Sequence, residues 1–480
     1  MTDTMAVHDS LKAAYEDVAY DGRPNPNSHP RRLAAVGRLF GLAPPPVETA
    51  RVLELGCGDG ANLLPMAQAL PGARFTGCDL SALLMGHARA MADGLGLDNV
   101  ELIEGDLRQI APRLATYDYI IAHGFYSWVP ADVREAMFAV MRDHLAPGGL
   151  ALVTYNLLPG CHVRRITWDA MRLETADTQA PRERLAASRR IAEDLGRAWA
   201  RTPGAPELLE SEMSSLPGRS DAAIYHDSLS GVNHAVYFSQ FIAHAGAYGL
   251  GFVSEAETGS LSATGLPQRM QDIVSKADPI AREQYLDFAR LRRFRQSLLA
   301  PAADVRRARL TPEAVAELHY SAATPLVQER VTGAPPSVTG VPVDVLVDRY
   351  PASMSFAQYR GALIDRGYDA ADAESVILRG CFSGALDLYA TPLPVATTVA
   401  VRPRVWPVAR WQAERSELVT NLRHEGARLD DDAARELAVA CDGTRDRAAL
   451  VRAVGPGRPD ATEFVDHILE RFALGALLES

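Results

Sequence analysis

Three carboxylates and two glycines follow one another in a fixed order between residues 52 and 107. They are Glu54, Gly56 and Gly58 in VLELGCGDG, Asp79 in CDLS and Asp106 in EGDL. With Ala61, the glycine spacing also fits the G-x-G-x-x-G/A turn that cradles a dinucleotide pyrophosphate. Glu54 decides against that ligand. A carboxylate at the end of a first strand repels a pyrophosphate and suits a molecule carrying an ammonium and a sulfonium. Asp79, ending a second strand, is placed to accept both hydroxyls of a ribose, which either ligand has. Asp106, ending a third, is placed to accept from an adenine amino group, with helix capping as the alternative. No second nucleotide-binding half follows, as NAD would require. These features imply S-adenosylmethionine, with the glycines letting the backbone approach its methionine part and the next helix N-terminus facing its carboxylate.

The elements that must hold these groups alternate. RRLAAVGRLFGL has helical spacing and follows Ser28-His29-Pro30, a cap with Pro in the first turn. RVLELG, ARFTGCDL, NVELIEGD, YDYIIAHG and LALVTYN read as strands, separated by GANLLPMAQAL, SALLMGHARAMADGLG and DVREAMFAVMRDHLAPGG as helices. Such alternation implies parallel crossovers and a doubly wound, Rossmann-like α/β sheet. Residues 157–235 read as a mostly helical insertion, after which VYFSQFIAHAGAYG is a helix, LGFVSEAE a strand and RRFRQSLLA a last strand near residue 300. We therefore expect a cofactor-binding domain over 1–300, a middle domain over 301–400 and a C-terminal domain over 401–480. The last two are expected to be smaller α/β or winged-helix-like units.

Composition excludes several classes. The 480 residues suit about three domains at roughly 150 residues each. The net charge of −11, with Lys12 and Lys276 the only lysines, opposes a nucleic-acid surface. Five cysteines without a C-x-x-C pair argue against a disulfide framework or a cysteine zinc site, so no metal is expected. The N-terminus has no secretory h-region and no stretch of about 18 apolar residues occurs, which predicts a cytoplasmic chain with no membrane span.

VLELGCGDG, CDLS and EGDL in this order resemble the motifs of class I methyltransferases. HGFYSWVP, YNLLPG, NHAVYFSQFIAHAGAYGL and QYLDFARLRRFRQSLL resemble bacterial methyltransferases with a methyltransferase regulatory domain, here about 217–300. VTNLRHEGARLDDD and CDGTRDRAAL resemble the C-terminal domain of bacterial protein-lysine methyltransferases of that group. The resemblance implies an S-adenosylmethionine shell of Glu54, Gly56, Cys57, Gly58, Asn62 and Asp79, joined by Leu80, Asp106, Leu107 and His123. It also implies a lid from Tyr15, Tyr20 and His29, against the alternative of an N-terminal helix cap. The group usually carries Trp where Cys161 stands and a branched aliphatic where Phe125 stands, both near the expected substrate mouth.

In such a sheet the ends of the fourth and fifth strands flank the reacting methyl. That places His123, Tyr126, Trp128, Tyr155 and Asn156 by the reaction. An aromatic ring there can hold a cation, and His123 can relay a proton or simply hydrogen-bond. Trp128 and Phe125 have packing under a lid as the alternative. Asn156 before LLP resembles the polar-x-x-Pro turn of N-methyltransferases, or is a plain turn. The resemblance implies an N-methyltransferase acting on a protein or peptide side chain, lysine first. An N-methyltransferase of a biosynthetic peptide or small metabolite stays open, as does a non-catalytic cofactor-binding regulator or scaffold.

Three further expectations concern the outer segments. Ile166, Met171, Leu185, Ile191, Leu195 and Trp199 make an apolar face in the insertion that a second copy of the chain, in a homodimer, or the substrate-side wall must cover. Alternating charges in RLRRFRQ read as a solvated strand face. Residues 421–480 carry eight Arg against twelve Asp plus Glu, which fits a protein- or peptide-docking module that the cofactor pocket can do without, with a tail that closes over the cofactor and completes the pocket as the alternative.

Overall fold

The computed structural model describes residues 17–18, 20, 22–178, 180–202, 209, 212, 218–307, 309, 312–333, 340–454 and 460–480. Tyr15 lies outside them.

A strand buried on both faces needs apolar residues at successive positions, and Val52, Leu53 and Leu55 supply them. They belong to β1 (Arg51–Leu55), an inner strand of a seven-stranded sheet. Beside it lie β2 (Arg74–Asp79), β3 (Val100–Glu104), β4 (Tyr117–Ala122) and β5 (Leu145–Asn156), all parallel. The strand order is β3-β2-β1-β4-β5, so the order reverses between β1 and β4. Ligands of open α/β sheets bind at the carboxyl ends of strands beside such a reversal. Helices cap as the sequence implies. Ser81 Oγ accepts from the amide of Leu84 at 3.3 Å to start Ala82–Leu95, and Gly96 ends that helix at φ 65°.

Two strands complete the sheet, β6 (Leu250–Glu255) and β7 (Phe294–Pro301). β7 slots between β5 and β6 and is antiparallel to both, where alternation alone implied only parallel pairing. The helices Gln268–Lys276 and Pro279–Arg290 lie between the two strands. The reading of RLRRFRQ as a solvated face is corrected here. Arg295 is fully buried, 2.7 Å from Glu255, 3.0 Å from Glu283 and 2.9 Å from Asp287. Its partners stand on β6 and on the preceding helix, so spacing within the run could not reveal them.

The insertion forms the helices Cys161–Glu174 and Pro181–Trp199. Its apolar face is covered by this chain itself: Met171, Leu185 and Ala192 pack with Ile224, Tyr225 and Leu229, and Ile191, Leu195 and Trp199 pack against that cluster. Ile166 lies outside it, exposed.

The C-terminal third packs against the earlier part of the chain. Beyond a three-stranded sheet of β8 (His319–Ala322), β9 (Met354–Ser355) and β10 (Leu386–Tyr389), the chain forms the hairpin β11 (Leu418–Thr420) and β12 (Gly426–Arg428). Helices Asp432–Ala440, Arg447–Val454 and Ala461–Leu474 follow. At the C-terminal end Leu478 bridges to Val405 and Glu479 to Val395. Trp406, Val408, Leu422 and Ala476 share a buried cluster with Leu64, Ala88, Met91 and Ala92 of the first domain. In the turn of the β11–β12 hairpin, Arg423 is fully buried, 2.5 Å from Asp387, and donates to Ser321 Oγ at 2.8 Å and to the carbonyls of Ala322 and Pro351. Removing one partner of a buried ion pair strands the other. Arg423→Ala should therefore destabilise the protein by about 3–5 kcal/mol, read by thermal or denaturant unfolding; a loss under half of that would mean the hairpin docks on apolar contacts alone.

Candidate active site

At the carboxyl end of β1 the chain turns through Gly56 (φ 73°) and Gly58 (φ 53°), conformations that L side chains rarely adopt. The amides of Gly56 and Cys57 donate to the Cys78 carbonyl at 2.7 and 3.0 Å, tying the turn to β2. Asp79 holds the turn from the other side, accepting from the amides of Gly58 (2.9 Å) and Ser81 (2.8 Å). Glu54, Gly56, Cys57, Gly58, Asn62, Asp79 and Leu80 line one cavity of about 460 Å³. Asp106, Leu107, His123, Trp128, Asn156 and Tyr20 line it too.

The buried carboxylate of Glu54 is half satisfied. Oε1 accepts from Asn62 Nδ2 at 2.7 Å, and Oε2 has no partner among the described residues. Burial pushes this carboxyl up to about 8, and Asp59 and Asp79 add to the shift. An orphaned carboxyl oxygen in a cavity wall fits the ammonium of S-adenosylmethionine, whose charge favours the ionised form of the group. Asp79 is raised by burial and opposed by its backbone donors.

Asn62 links this wall to distant segments. Its Oδ1 accepts from the amide of Asn25 (2.8 Å), from Ser28 Oγ (3.1 Å) and from His424 Nε2 (2.9 Å). An amide oxygen only accepts, so His424 carries its proton on Nε2. Burial pushes His424 down to about 3, which keeps it neutral, and it holds a φ of 62°. The C-terminal domain therefore reaches the shell behind Glu54. No described residue of 401–480 lines the cavity itself; the contact through Asn62 fits the alternative in which the tail helps complete the pocket.

Several predicted site residues take other roles. Tyr126 does not face the cavity; it is buried among Phe138, Tyr155 and Phe241, with its hydroxyl 3.2 Å from His244 Nδ1. Tyr155 likewise stacks on Phe241 and bonds Ser297. His29 is the helix cap given as the alternative: its Nδ1 accepts from the amide of Arg31, and its ring packs edge-on against His424. Asp106 lines the cavity, yet its Oδ1 accepts from the amide and the Nε of Arg108, the capping role. His123 is a poor proton relay. Asn25 donates to its Nδ1 at 3.3 Å, and burial pushes it down to about 4. Asn156 does face the cavity. Its Nδ2 donates to Asn233 Oδ1 at 2.9 Å, and its Oδ1 has no partner among the described residues.

Arg164, Trp168, His226, Asp227 and Phe294 also line the cavity. Sequence reasoning did not place them. They come from the insertion, from a π-helical turn at Ile224–Ser228 and from β7, and the π turn has no signal at a period of 3.6.

With this geometry in place, the comparisons agree on the class. A methyltransferase domain model matches residues 52–149, a predicted methyltransferase regulatory domain 220–300, and the PKMT C-terminal winged helix domain 402–455. The chain is an S-adenosylmethionine-dependent methyltransferase of class I fold. It is 30% identical over 236 residues to the uncharacterized protein RP028 of Rickettsia prowazekii, covering 94% of that protein and 49% of this chain. It belongs to the same family. RP789 of that organism is 34% identical over 301 residues, 62% of this chain; the chain spans about half, 54%, of RP789's length. PKMT2 from Rickettsia typhi in complex with AdoHcy shares the fold, with a TM-score of 0.84 at 22% identity over 96% of this chain and 99% of that one. No helix among the described residues is long and apolar enough to cross a membrane.

Glu54 gives a pH prediction. Its raised value keeps it protonated in the free protein at neutral pH, and a bound cation favours the carboxylate, so binding should expel a proton. Affinity for S-adenosylhomocysteine, whose ammonium remains, should rise by up to about tenfold per pH unit towards pH 8 and level off above it. Calorimetry in buffers of different ionisation enthalpy should detect the released proton, and Glu54→Gln should abolish both effects. A pH-independent affinity between 6 and 8 would contradict this assignment.

Proposed function

We propose that the protein methylates the ε-amine of lysine in a protein or peptide. The observation that carries this reading is the cavity mouth. Trp128, Trp168 and Phe294, from three separate parts of the chain, line the same cavity as Gly56 and Asn156. Aromatic walls suit an aliphatic stem that ends in a cation. The insertion and β7 supply two of the three rings, more enclosure than a cofactor turn needs. The structural likeness to PKMT2 and the PKMT-type C-terminal domain support a protein acceptor.

Bound S-adenosylmethionine supplies a methyl group on an electrophilic sulfonium. Glu54, Gly56, Gly58, Asp79, Leu80 and Leu107 would hold it. The remaining tasks fall to the protein's own groups. Free lysine has a reference pKa near 10.4, so the acceptor must lose a proton before it attacks. Asn156 Oδ1 can accept from an amine N–H and so aim the nitrogen lone pair. The rings of Trp128, Trp168 and Phe294 exclude water and orient the stem, and positioning of this kind accounts for much of the acceleration in displacement chemistry. His123 stays neutral and serves as a wall and hydrogen-bonding group. The proton leaves to solvent at the mouth.

Incubation with methyl-labelled cofactor and lysate of the source organism tests the reading. Hydrolysis of the labelled polymer should return methylated lysine. Label confined to small molecules would favour the metabolite N-methyltransferase. Tight cofactor binding with no transfer would favour the scaffold.

A further inference from the structure

The turn Ile224–Ser228 is a single stretch of π-helix, a form that is uncommon and concentrates at functional sites. The start and the middle of the turn are fixed. Ile224 and Tyr225 are buried in the cluster with Met171 and Leu185, and His226 Nε2 donates to the Val18 carbonyl at 2.7 Å. The wider turn places two successive side chains, His226 and Asp227, on the cavity wall.

Asp227 differs from every other carboxylate on that wall. Glu54 is bonded by Asn62, Asp59 by the amides of Gly22 and Ala61, Asp79 by backbone amides and Asp106 by Arg108. The side chain of Asp227 accepts no hydrogen bond and stands in no ion pair among the described residues, and burial pushes it up to about 6. Arg164 and Arg219 act on it through space, yet each is turned onto Glu212 at 3.2 Å. Asp227 is also coupled to the reacting end of the cavity. Its backbone carbonyl accepts from Asn233 Nδ2 at 3.2 Å, and Asn233 Oδ1 accepts from Asn156 Nδ2 at 2.9 Å. The bond from Asn156 leaves Asn156 Oδ1 for the cavity.

We propose that Asp227 is the carboxylate that receives the acceptor's ammonium group, holding it between Asn156 and the aromatic mouth. This assignment rests on the lysine reading above and adds the residue that selects a cationic acceptor. A half-buried carboxylate with no hydrogen bond or ion pair among the described residues, and only two through-space arginines, is costly, and an incoming ammonium relieves that cost where a neutral or anionic acceptor does not. The regulatory segment then forms one wall of the acceptor site.

The test compares wild type, Asp227→Asn and Asp227→Glu. Methyl transfer is measured to oligolysine and, in parallel, as total methyl-lysine formed in lysate of the source organism. Affinity for S-adenosylhomocysteine and the unfolding temperature report on fold and cofactor site, and both should be unchanged. Loss of one charged hydrogen bond predicts a fall in kcat/KM of about ten- to a hundredfold in Asp227→Asn, carried mainly by KM. Asp227→Glu should recover part of it. Transfer by Asp227→Asn at the wild-type kcat/KM, with methyl-lysine formed by both, would overturn the assignment while leaving the lysine reading intact. A fall in kcat at unchanged KM would overturn it too, since a docking carboxylate acts on binding. Absence of methyl-lysine from the wild-type reactions would overturn the lysine reading and this assignment with it.

Discussion

The buried side-chain amide of Asn62 is the constraint on which the site depends. It has one acceptor oxygen and one donor nitrogen, and both are committed. The oxygen takes the backbone of Asn25, the hydroxyl of Ser28 and the imidazole of His424, and the nitrogen goes to Glu54. Two distant parts of the chain, residues 25–28 and His424, thereby fix through Asn62 the orientation of one carboxylate. Buried polar networks of this kind are costly when any member is lost, because the remaining members stay desolvated. Glu54 Oε2 remains the one oxygen of that carboxylate without a partner among the described residues, on a residue that lines the cavity.

The domains divide the chemistry by position. The sheet domain builds the cofactor side from the ends of β1 and β2, whose turn is held by short backbone bonds to Cys78 and Asp79. The insertion, the π turn and β7 build the acceptor side with Trp168, Asp227 and Phe294. The C-terminal hairpin stands behind the cofactor side. Arg423 anchors that hairpin to the middle domain, and its neighbour His424 touches Asn62. Two adjacent residues thus tie the hairpin both to Ser321 and Asp387 and to Asn62, and His424 accepts a left-handed backbone to do so.

The sequence was most informative where chemistry is local. Glu54, Gly56, Gly58 and Asp79 lie on a strand–turn–helix whose pattern spans thirty residues, and all four line the cavity. Ser81 and Gly96 cap their helix as their types imply. Legibility ended where partners are far apart in the chain. Arg295 looked solvated because Glu255, Glu283 and Asp287 are not in its run. Tyr126 looked catalytic because it follows a strand end, yet its own ring packs against Phe138 and Phe241. Asp227 sits on a turn with no periodic signal, and the partner of His424 is more than three hundred residues away.

The central claim is that the C-terminal domain is built into the cofactor site through the Asn62–His424 contact. A double-mutant cycle tests it: calorimetric affinity for S-adenosylhomocysteine is measured for Asn62→Ala, His424→Ala and the pair. Residues in one buried network couple by about 0.5–3 kcal/mol. The account predicts that each single change weakens binding and that the pair is no weaker than Asn62→Ala. Wild-type affinity in His424→Ala, or losses that simply add, would contradict it.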